Sequence, residues 1–498
     1  MVHFSLIDSL LIVLYFFSVV YIGFRAVRRG RKESEDFLLA GRSLTLPMFV
    51  ATLVSTWYGG ILGVGEFSYR FGISNWIVFG VPYYFFALLF ALLLAKRIRG
   101  TNHLTIPDKL EASYNRRTAL LGGMLTAGLV TPAAYVLMVG ILVQLIFGWD
   151  LATSVTATTL LTICYLYWGG FRSDVWANAF EFIMMFLGFA MILPFAYFKL
   201  GGWEYITSHV PPLHLTWHGG NPWQYIAVWF FIALWTLVDP AFHQRCYAAK
   251  DGNTARRGIL ISIPFWFFFD FMTSMAGLYA RAALPDLPNP AFSYPLLAEL
   301  ILPPIAKGLF YIGMLATIMS TLSSLMFVSA STIGKDIVGR FVSSIDPTEH
   351  EALVHRWTKG GLVISALVSI ILSLTVPSVV KIWYTIGTAI VPGLLVPLVA
   401  SYFEPLRIPP RHAFWAMLLG WGVSTVSLLF GQLNLINDEP SYWLGVEPMV
   451  PGLVISLVVW VAGRIQYRRQ ISHPPSPNLC GGQARCTRKV TGTPNLKP

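Results

Sequence analysis

Hydroxyl side chains gather in one apolar stretch of the chain, LATIMSTLSSLMFVSASTIGKD at residues 315–336. The length and composition of this stretch are typical of a helix that crosses a membrane. At membrane depth a hydroxyl is costly unless it meets a polar partner. The cluster therefore predicts that this helix lines a site for a polar or ionic guest.

The composition predicts an all-α integral membrane protein. Of the 498 residues, 55% are hydrophobic and 12% are charged, and the mean hydropathy is +0.62. Apolar runs long enough to cross a hydrocarbon layer of about 30 Å recur along nearly the whole chain, and we count about thirteen of them. The predicted spans are residues 5–26, 46–70, 74–96, 118–147, 150–168, 173–199, 224–247, 257–281, 304–334, 357–376, 378–402, 412–431 and 447–466.

The basic residues predict the orientation, because cytoplasmic loops collect Lys and Arg while translocated loops do not. When successive loops are assigned alternately to two sides, Arg245 is counted with the cytoplasmic loops. Only five of the 35 basic residues fall on the other side: Arg70, Lys199, Arg281, Lys307 and Lys381. We therefore expect a multi-pass plasma-membrane protein with its amino terminus outside and its carboxyl terminus in the cytoplasm. The net charge of +11 follows from this topology, so no nucleic-acid partner is predicted.

The chain is predicted to form one membrane domain over residues 1–468. Residues 469–498 are rich in Pro, Gly, Asn and basic side chains without apolar periodicity, which predicts a disordered cytoplasmic tail. The first span lacks a basic region ahead of it, so it is expected to be a retained helix rather than a removed signal peptide.

Two predicted spans contain residues that interrupt a helix. In the second span, Gly59, Gly60, Gly63 and Gly65 lie close together, and each Gly costs about 1 kcal/mol in a helix relative to Ala. In the seventh span, the pair 239–240 is Asp-Pro, and proline removes a backbone donor. Such breaks at matching places in two halves mark the binding site of inverted-repeat transporters. Close helix packing at the glycines and a helix end at the proline stay open as alternatives.

Several motifs, in this order and at these spacings, resemble the sodium:solute symporter family. They are DFLLAGRSL at 36–44, GILGVGEFSYRFG at 60–72, TIPDKLEASYN at 105–115, GGFRSDVWANAFEF at 169–182, HQRCYAAKD at 243–251 and ATIMSTLSSLMFVSASTIGKDI at 316–337. The resemblance covers nearly the whole membrane domain. It implies the leucine-transporter-type fold of five plus five inverted helices, with repeat one at about 46–199 and repeat two at about 224–402.

The resemblance also implies a sodium site between the second and ninth spans. Carried onto this chain, its ligands are the carbonyls of Leu53, Thr56 and Thr317 and the hydroxyls of Ser320 and Thr321. Sodium is a hard cation that prefers oxygen ligands, which carbonyls freed by helix unwinding and facing hydroxyls supply. Hydroxyls in membrane helices also commonly bond back to a carbonyl of the preceding turn, and this alternative stays open.

A possible second ion site is implied one turn further along, at Ser323 and Ser324. Where the family often has Asp, this chain has Asn178, and where the family usually has Gln, it has Glu181. The spacing of three puts Asn178 and Glu181 on one helix face. A second ion, a proton site and a hydrogen-bonded glutamate all stay open, and an intramembrane carboxylate favours ion or proton coupling at Glu181.

A substrate cavity is expected beside the two breaks. Positions that carry polar side chains in sugar-transporting relatives are Ser55, Gly59 and Gly60 here, so a sugar substrate is disfavoured. Exposed backbone at the breaks suits an amino acid, a short carboxylate or a similar solute. The other residues expected at the cavity are Trp57, Tyr58, Trp235, Asp239 and Tyr384. Two further acidic residues are placed elsewhere: Glu66 toward the outer vestibule and Asp270 against a neighbouring helix.

The resemblance implies a sodium-coupled symporter that imports a small organic solute by alternating access. The predicted partners are that solute and membrane lipid, the predicted ion is sodium, and a monomer or weak oligomer is expected. A solute-sensing receptor of the same fold and a proton-coupled symporter using Glu181 are the alternatives. An enzyme is not expected, because no spacing typical of metal ligands or of a nucleophile with its base occurs inside the spans.

Overall fold

The computed structural model describes residues 2–27, 34–342, 346–376, 378–436 and 439–472, and nearly all of them are helical. The predicted tail at 469–498 falls mostly outside this range. The longer helices are α1 (Leu6–Val27), α2 (Leu46–Trp57), α3 (Ile61–Phe71), α4 (Trp76–Arg99), α5 (Ile106–Ser113), α6 (Arg116–Leu129), α7 (Ala133–Phe147), α8 (Leu151–Leu200), α9 (Trp223–Ile232), α10 (Pro240–Ala248), α11 (Gly252–Ala283), α12 (Ala306–Ser331), α13 (Pro347–Thr375), α14 (Val379–Ser401), α15 (Pro410–Leu433) and α16 (Met449–Ser472). Within the described part, regular strands occur only as a short antiparallel pair, β1 (Leu435–Ile436) and β2 (Glu439–Pro440).

The all-α membrane architecture is confirmed, whereas the count of thirteen spans is not. Among the described residues, 11 helices are long and apolar enough to cross a membrane, or up to 12 with the bent pair α2 and α3. The difference from the sequence lies at α8, where spans at 150–168 and 173–199 were predicted. The run Leu151–Leu200 counts as one span, although its 50 residues contain two helices that meet at a kink. Gly170 interrupts this run with φ 55° and ψ −149°, a conformation that glycine adopts readily.

The first predicted break lies between α2 and α3, whose axes bend by 57°. Helix α2 ends at Trp57, and the chain passes through Tyr58, Gly59 and Gly60 before α3 begins. A side chain at Gly60 would meet the Trp383 ring at 2.2 Å. Glycine is therefore required here by the close approach of the Trp383 ring.

The second predicted break lies between α9 and α10. After α9 the chain forms a short 3-10 turn at Ala233–Leu237, and α10 then begins at Pro240. Asp239 caps α10, because its carboxylate accepts a hydrogen bond of 2.9 Å from the backbone N–H of Phe242. Proline in the first helical turn follows the usual rule, since its missing donor costs nothing there.

Helix α12 runs through the middle of the molecule and is the most enclosed of the spans. Its most apolar 18-residue window is 100% buried within the protein, compared with 28% for α1 and 22% for α16. The long helix α8 packs along it, together with α1, α2, α7 and α13. Because α12 faces protein on all sides, its hydroxyls can find polar partners that lipid would not supply.

Candidate functional site

The hydroxyls of α12 meet the end of α2. The Ser320 hydroxyl donates to the Ser55 carbonyl at 2.9 Å, and the Thr321 hydroxyl donates to the Thr56 carbonyl at 2.6 Å. The last carbonyls of a helix lack partners within it, and α2 ends at Trp57, so these oxygens are open to other partners. Ser320 and Thr321, the two hydroxyl residues predicted to bind sodium, therefore face the predicted break.

Both hydroxyls also approach Thr317 in their own helix, at 3.0 Å from Ser320 and 3.4 Å from Thr321. The contact across to α2 and the back-bond along α12 thus exist together. Leu53 is 1% exposed and lies on the wall of the neighbouring cavity, one turn before Thr56. The five predicted ligand residues are all buried, and the carbonyl of Ser55, which was not predicted, also faces α12.

The protein has no room for a side chain at position 59, beside these oxygen atoms. A methyl group at Gly59 would lie 2.2 Å from the Thr321 hydroxyl oxygen and 2.6 Å from the ring of Tyr135. Such distances are far inside van der Waals contact. The absence of a side chain at Gly59 is therefore what lets the break pack directly against Thr321.

A second polar cluster lies one turn further along α12, and its carboxylate is Asp174. The hydroxyls of Ser323 and Ser324 both donate to Asp174, at 2.7 Å and 2.8 Å. Asn178 joins the cluster through its amide, which donates to Asp174 at 3.1 Å and to Ser324 at 2.9 Å. Asp174 is fully buried, and it was missed in the sequence although it lies four residues before Asn178 on the same helix face.

Glu181 is not among the described partners of this cluster, although the sequence grouped it with Ser323, Ser324 and Asn178. Its carboxylate accepts a hydrogen bond of 3.1 Å from the Tyr15 hydroxyl of α1. Both Glu181 and Tyr15 are buried. The structure thus places Glu181 where α8 meets α1.

Arg245 reaches this same cluster from α10. The sequence counted Arg245 with the cytoplasmic loops, whereas the structure places it within α10 with a fully buried side chain. Its guanidinium donates to the Thr56 hydroxyl at 2.5 Å and to the Ser324 hydroxyl at 2.9 Å, and lies 3.8 Å from the Asp174 carboxylate. A basic residue near a helix end is usually a loop residue, so only the packing of α2, α8, α10 and α12 reveals its burial.

A cavity of about 150 Å³ opens beside the two breaks. Five of the predicted cavity residues line it: Trp57, Tyr58, Gly60, Trp235 and Asp239. Other residues on its wall include Leu53, Thr56, Phe79, Tyr83, Tyr135, Trp229, Phe242, Asp270, Thr321 and Trp383. The cavity and the oxygen cluster therefore share a wall made of α2 and α12.

Three predicted cavity residues are not among the described lining residues. The Ser55 hydroxyl bonds within α2, to the carbonyl of Thr52 at 3.3 Å. Gly59 packs against Thr321, and the Tyr384 hydroxyl bonds to Glu447. Trp383, the residue before Tyr384, lies on the wall instead.

The two other acidic residues have identifiable partners. Asp270 on α11 accepts hydrogen bonds from the hydroxyls of Tyr58 and Tyr84, which agrees with the expected contact to neighbouring helices. It also lines the cavity, which was not expected. Glu66 pairs with Arg70 at 3.1 Å along α3.

An ion-pair cluster, missed in the sequence, joins α5 to the segment after α12. The Asp108 carboxylate forms ion pairs with Lys335 at 2.5 Å and with Arg340 at 2.6 Å. Arg340 also pairs with Asp336 at 2.7 Å and with Glu111 at 2.8 Å. Burial alone would raise the pKa of Asp108. The charges of Lys335 and Arg340 outweigh burial and hold this pKa well below its usual value. On the face predicted to be cytoplasmic, these ion pairs hold α5 against the segment after α12.

Comparison with known proteins places this geometry among transporters. A family model described as the sodium:solute symporter family matches residues 37–420. The sodium/pantothenate symporter of Escherichia coli (strain K12) is 27% identical over 485 residues, covering 91% of this chain and 95% of that protein. The high-affinity choline transporter 1 of Drosophila melanogaster is 24% identical over 398 residues, covering 75% of this chain and 63% of that protein.

Solved structures share the fold. A substrate-bound, outward-open sodium-coupled sialic acid symporter superposes with a TM-score of 0.75 at 16% identity, over 94% of this chain and 98% of that one. A nucleobase-cation-symport-1 family transporter, closed with bromovinylhydantoin bound, gives a TM-score of 0.59 at 14% identity, over 87% and 94%. At such identities the likeness concerns the fold alone, and both structures have the leucine-transporter-type architecture.

Proposed function

The chain belongs to the sodium:solute symporter family, and we propose from its geometry where the ion and the solute bind. It is a multi-pass membrane transporter and not an enzyme, and it couples the movement of a small organic solute to sodium. Three properties are proposed on this basis: the ligands of sodium, the direction of transport and the chemistry of the solute.

We propose that sodium binds where α2 meets α12. Its ligands are the carbonyls of Leu53, Thr56 and Thr317 and the hydroxyls of Ser320 and Thr321. In support, Thr321 already touches the Thr56 carbonyl, and Ser320 touches a carbonyl of the same helix end. A cation that enters between them replaces the hydroxyl hydrogens as the shared partner of these oxygens.

We further propose import by alternating access, with the amino terminus outside the plasma membrane and the carboxyl terminus in the cytoplasm. The asymmetry of basic residues supports this orientation. One sodium ion moving through 100 mV gains about 2.3 kcal/mol, which helps to drive accumulation of the solute. Because α2 borders both the ion site and the cavity, an ion at one end of it favours the conformation that binds the solute.

The walls of the cavity support a solute with a positively charged nitrogen. Aromatic rings predominate, among them Trp57, Trp235 and Trp383, and ring faces attract ammonium groups. Two carboxylates, Asp239 and Asp270, also line the cavity, whereas the described lining residues include no Lys, Arg or His. An ammonium group of a solute could therefore pair with two carboxylates, whereas the carboxylate of a solute would find no basic side chain among the described lining residues.

The freed helix starts, which could attract a carboxylate, are both covered. Asp239 already accepts the N–H of Phe242 at the start of α10. At the start of α3 the Trp383 ring lies against Gly60. Among the solutes that the sequence left open, an amino acid fits through its ammonium group and a short carboxylate fits poorly. By its name, the choline transporter of Drosophila melanogaster carries a quaternary ammonium compound.

Uptake into proteoliposomes tests this proposal with three labelled probes: choline, proline and pantothenate. We expect choline or proline to accumulate when sodium is present outside and not when potassium replaces it. Unlabelled choline should compete, whereas its neutral isostere with a quaternary carbon in place of nitrogen should not. Accumulation of pantothenate alone, or equal uptake in potassium, would contradict the proposal. A probe that raises the melting temperature in sodium but is never accumulated would indicate the sensing receptor.

The two carboxylates supply the matching variants. Asp239→Asn and Asp270→Asn should each raise the KM for the cationic solute by about tenfold, which corresponds to about 1.4 kcal/mol. Glu66→Gln is the control, because Glu66 pairs with Arg70 and is not among the described lining residues. An unchanged KM in both cavity variants would argue against a cationic solute.

A further inference from the structure

We propose that the Arg245 guanidinium is a built-in cation at the Asp174, Ser323, Ser324 and Asn178 cluster, so that this chain carries one sodium ion per solute. The inference deepens the proposed function and rests on it, since it concerns the number of ions that accompany the solute. It answers the question that the sequence left open at Ser323 and Ser324. The relevant contacts are all between described, buried side chains.

The guanidinium occupies the position that a cation would need. From α10 it reaches between α2 and α12, donating to the hydroxyls of Thr56 and Ser324 at 2.5 Å and 2.9 Å. Its Nη2 lies 3.8 Å from Asp174. Ser324 then donates to Asp174 at 2.8 Å, so the positive and negative groups are also joined through a hydroxyl.

The oxygen atoms of the cluster have little capacity left for a second cation. A hydroxyl has one hydrogen to donate and two lone pairs to accept with. Ser324 donates its hydrogen to Asp174, and its oxygen accepts from Arg245 and from Asn178, each at 2.9 Å. Asp174 accepts from both serines and from Asn178. A sodium ion would have to displace the Arg245 or Asn178 donors to reach either group.

The charge balance supports the same conclusion. Asp174 carries one negative charge and Arg245 carries one positive charge, so the pair is neutral in a region of low dielectric. Adding sodium would leave a net positive charge buried there, which is costly. The other carboxylate on this part of α8, Glu181, faces Tyr15 of α1 and is not among the described partners of Arg245. Asp174 is therefore the described ion-pair partner of Arg245, and Asp239, which caps α10, adds a second electrostatic interaction with the guanidinium.

The contrast with the proposed sodium site is chemical. At that site the described partners of the Ser320 and Thr321 hydroxyls are backbone carbonyls, which carry no charge and accept a cation readily. At the Asp174 cluster a cation is already present and covalently tethered. Thr56 belongs to both places, because its carbonyl faces Thr321 and its hydroxyl faces Arg245. The tethered cation thus also positions the residue that sodium is proposed to bind.

The stoichiometry of the wild-type protein is the first test and needs no variant. In proteoliposomes held at zero membrane potential with potassium and valinomycin, a tenfold sodium gradient is opposed by increasing gradients of the transported solute. We expect net flux to vanish at a tenfold solute gradient, which means one sodium per solute. Zero flux at a hundredfold solute gradient would mean two sodium ions per solute and would overturn the inference. Absence of any sodium-dependent uptake would instead contradict the proposed function.

Variants then test whether Arg245 itself excludes the second ion. Arg245→Gln removes the cation and leaves Asp174 in place, and we expect the Hill coefficient for sodium activation to rise from about one toward two. The double variant Arg245→Gln/Asp174→Asn should return it to about one, because the anion is gone as well. Arg245→Lys, which keeps a cation, should also stay near one.

Binding of radioactive sodium to the purified proteins gives a readout that does not require transport. The wild-type protein is expected to hold one ion at saturation and Arg245→Gln two. If Arg245→Gln does not fold, wild-type binding and the zero-flux measurement still decide the question. Two ions bound to the wild-type protein, or an unchanged number in a folded Arg245→Gln protein, would count against the inference.

Discussion

The Thr321 hydroxyl donates a hydrogen bond of 2.6 Å to the carbonyl oxygen of Thr56, across the contact between α12 and the broken end of α2. This bond joins the two segments that differ most from ordinary membrane helices, one rich in hydroxyls and one interrupted by glycines. Because Thr56 and Thr321 also line the cavity, a change at this contact reaches the solute directly. The position of α2 relative to α12 is therefore the feature on which ion coupling is expected to depend.

Removing the hydroxyls at this contact should weaken sodium activation. For Ser320→Ala and Thr321→Ala we expect the sodium concentration at half-maximal uptake to rise about tenfold or more, corresponding to about 1.4 kcal/mol. The cause is loss of an oxygen ligand from the proposed site. The measurement is initial uptake as a function of sodium concentration, with the amount of folded protein determined for each variant.

Ser331→Ala is the matched control for those two variants. Ser331 lies on the same helix, and its described hydrogen bond goes back to the Val328 carbonyl at 2.9 Å. Its removal is expected to leave sodium activation unchanged. A similar loss of folded protein in all three variants, with normal sodium dependence in what remains, would indicate a purely structural role.

The sequence predicts the broken helices and the hydroxylated helix because each depends on local residue chemistry. Glycines near Tyr58 and a proline after Asp239 weaken a helix wherever it packs. The gap predicted between the spans 150–168 and 173–199 corresponds to a kink at Gly170, where two helices meet within α8. A methyl group added at Gly170 would lie 2.6 Å from the Phe37 ring, and this close packing against a residue distant in sequence could not be predicted.

The cluster of Asp174 and Arg245 could not be predicted, because its members come from four helices that are distant in sequence. Nothing local to Arg245 shows that it is buried, and Asp174 acquires its role only when α8 packs against α12. Likewise, adjacent residues on a helix point about 100° apart. The sequence predicted Tyr384 at the cavity, whereas its neighbour Trp383 lines the cavity and Tyr384 bonds to Glu447.

Adding a methyl group at Gly59 should disrupt the ion site without removing any of its ligands. In Gly59→Ala the new carbon would lie 2.2 Å from the Thr321 hydroxyl oxygen, so α2 and α12 must move apart. We expect sodium-dependent uptake to fall at least tenfold. The control is Gly422→Ala on α15, where an added carbon has no neighbour within 4 Å and alanine favours the helix by up to about 1 kcal/mol. Equal uptake by the two variants would contradict the close packing at Gly59.

The stability of the protein should depend on pH through Lys109. This residue of α5 is 6% exposed and lies 5.0 Å from the Tyr402 ring. Burial, and after it the charge of Arg407, lowers the pKa of Lys109 from 10.5 to about 8. Between these two values the unfolded chain binds more protons than the folded one, so the free energy of unfolding rises as the pH increases. Below pH 8 the charged side chain opposes folding.

Lys109→Met keeps the apolar stem and removes the charge. We expect its melting temperature to exceed that of the wild-type protein at pH 7. The gain in the free energy of unfolding should be on the order of 1 kcal/mol for each unit of pKa shift. The advantage should shrink as the pH rises from 8 toward 10.5. Thermal unfolding in detergent at several pH values measures this. A variant less stable than wild type at pH 7 would show that the contact with the Tyr402 ring outweighs the cost of burial.

The neighbouring residues Trp383 and Tyr384 should respond oppositely to substitution. Trp383 lines the cavity and lies against Gly60, so Trp383→Leu removes a ring face from the solute site. A cation–π contact in a desolvated site contributes about 2 kcal/mol, so we expect the KM for the cationic solute to rise at least tenfold. Tyr384→Phe removes only the hydroxyl that bonds to Glu447, so it should leave the KM unchanged and lower the melting temperature. Solute uptake and thermal unfolding of both variants measure the two effects, and the reverse assignment would show that α14 is rotated by one residue from the arrangement described.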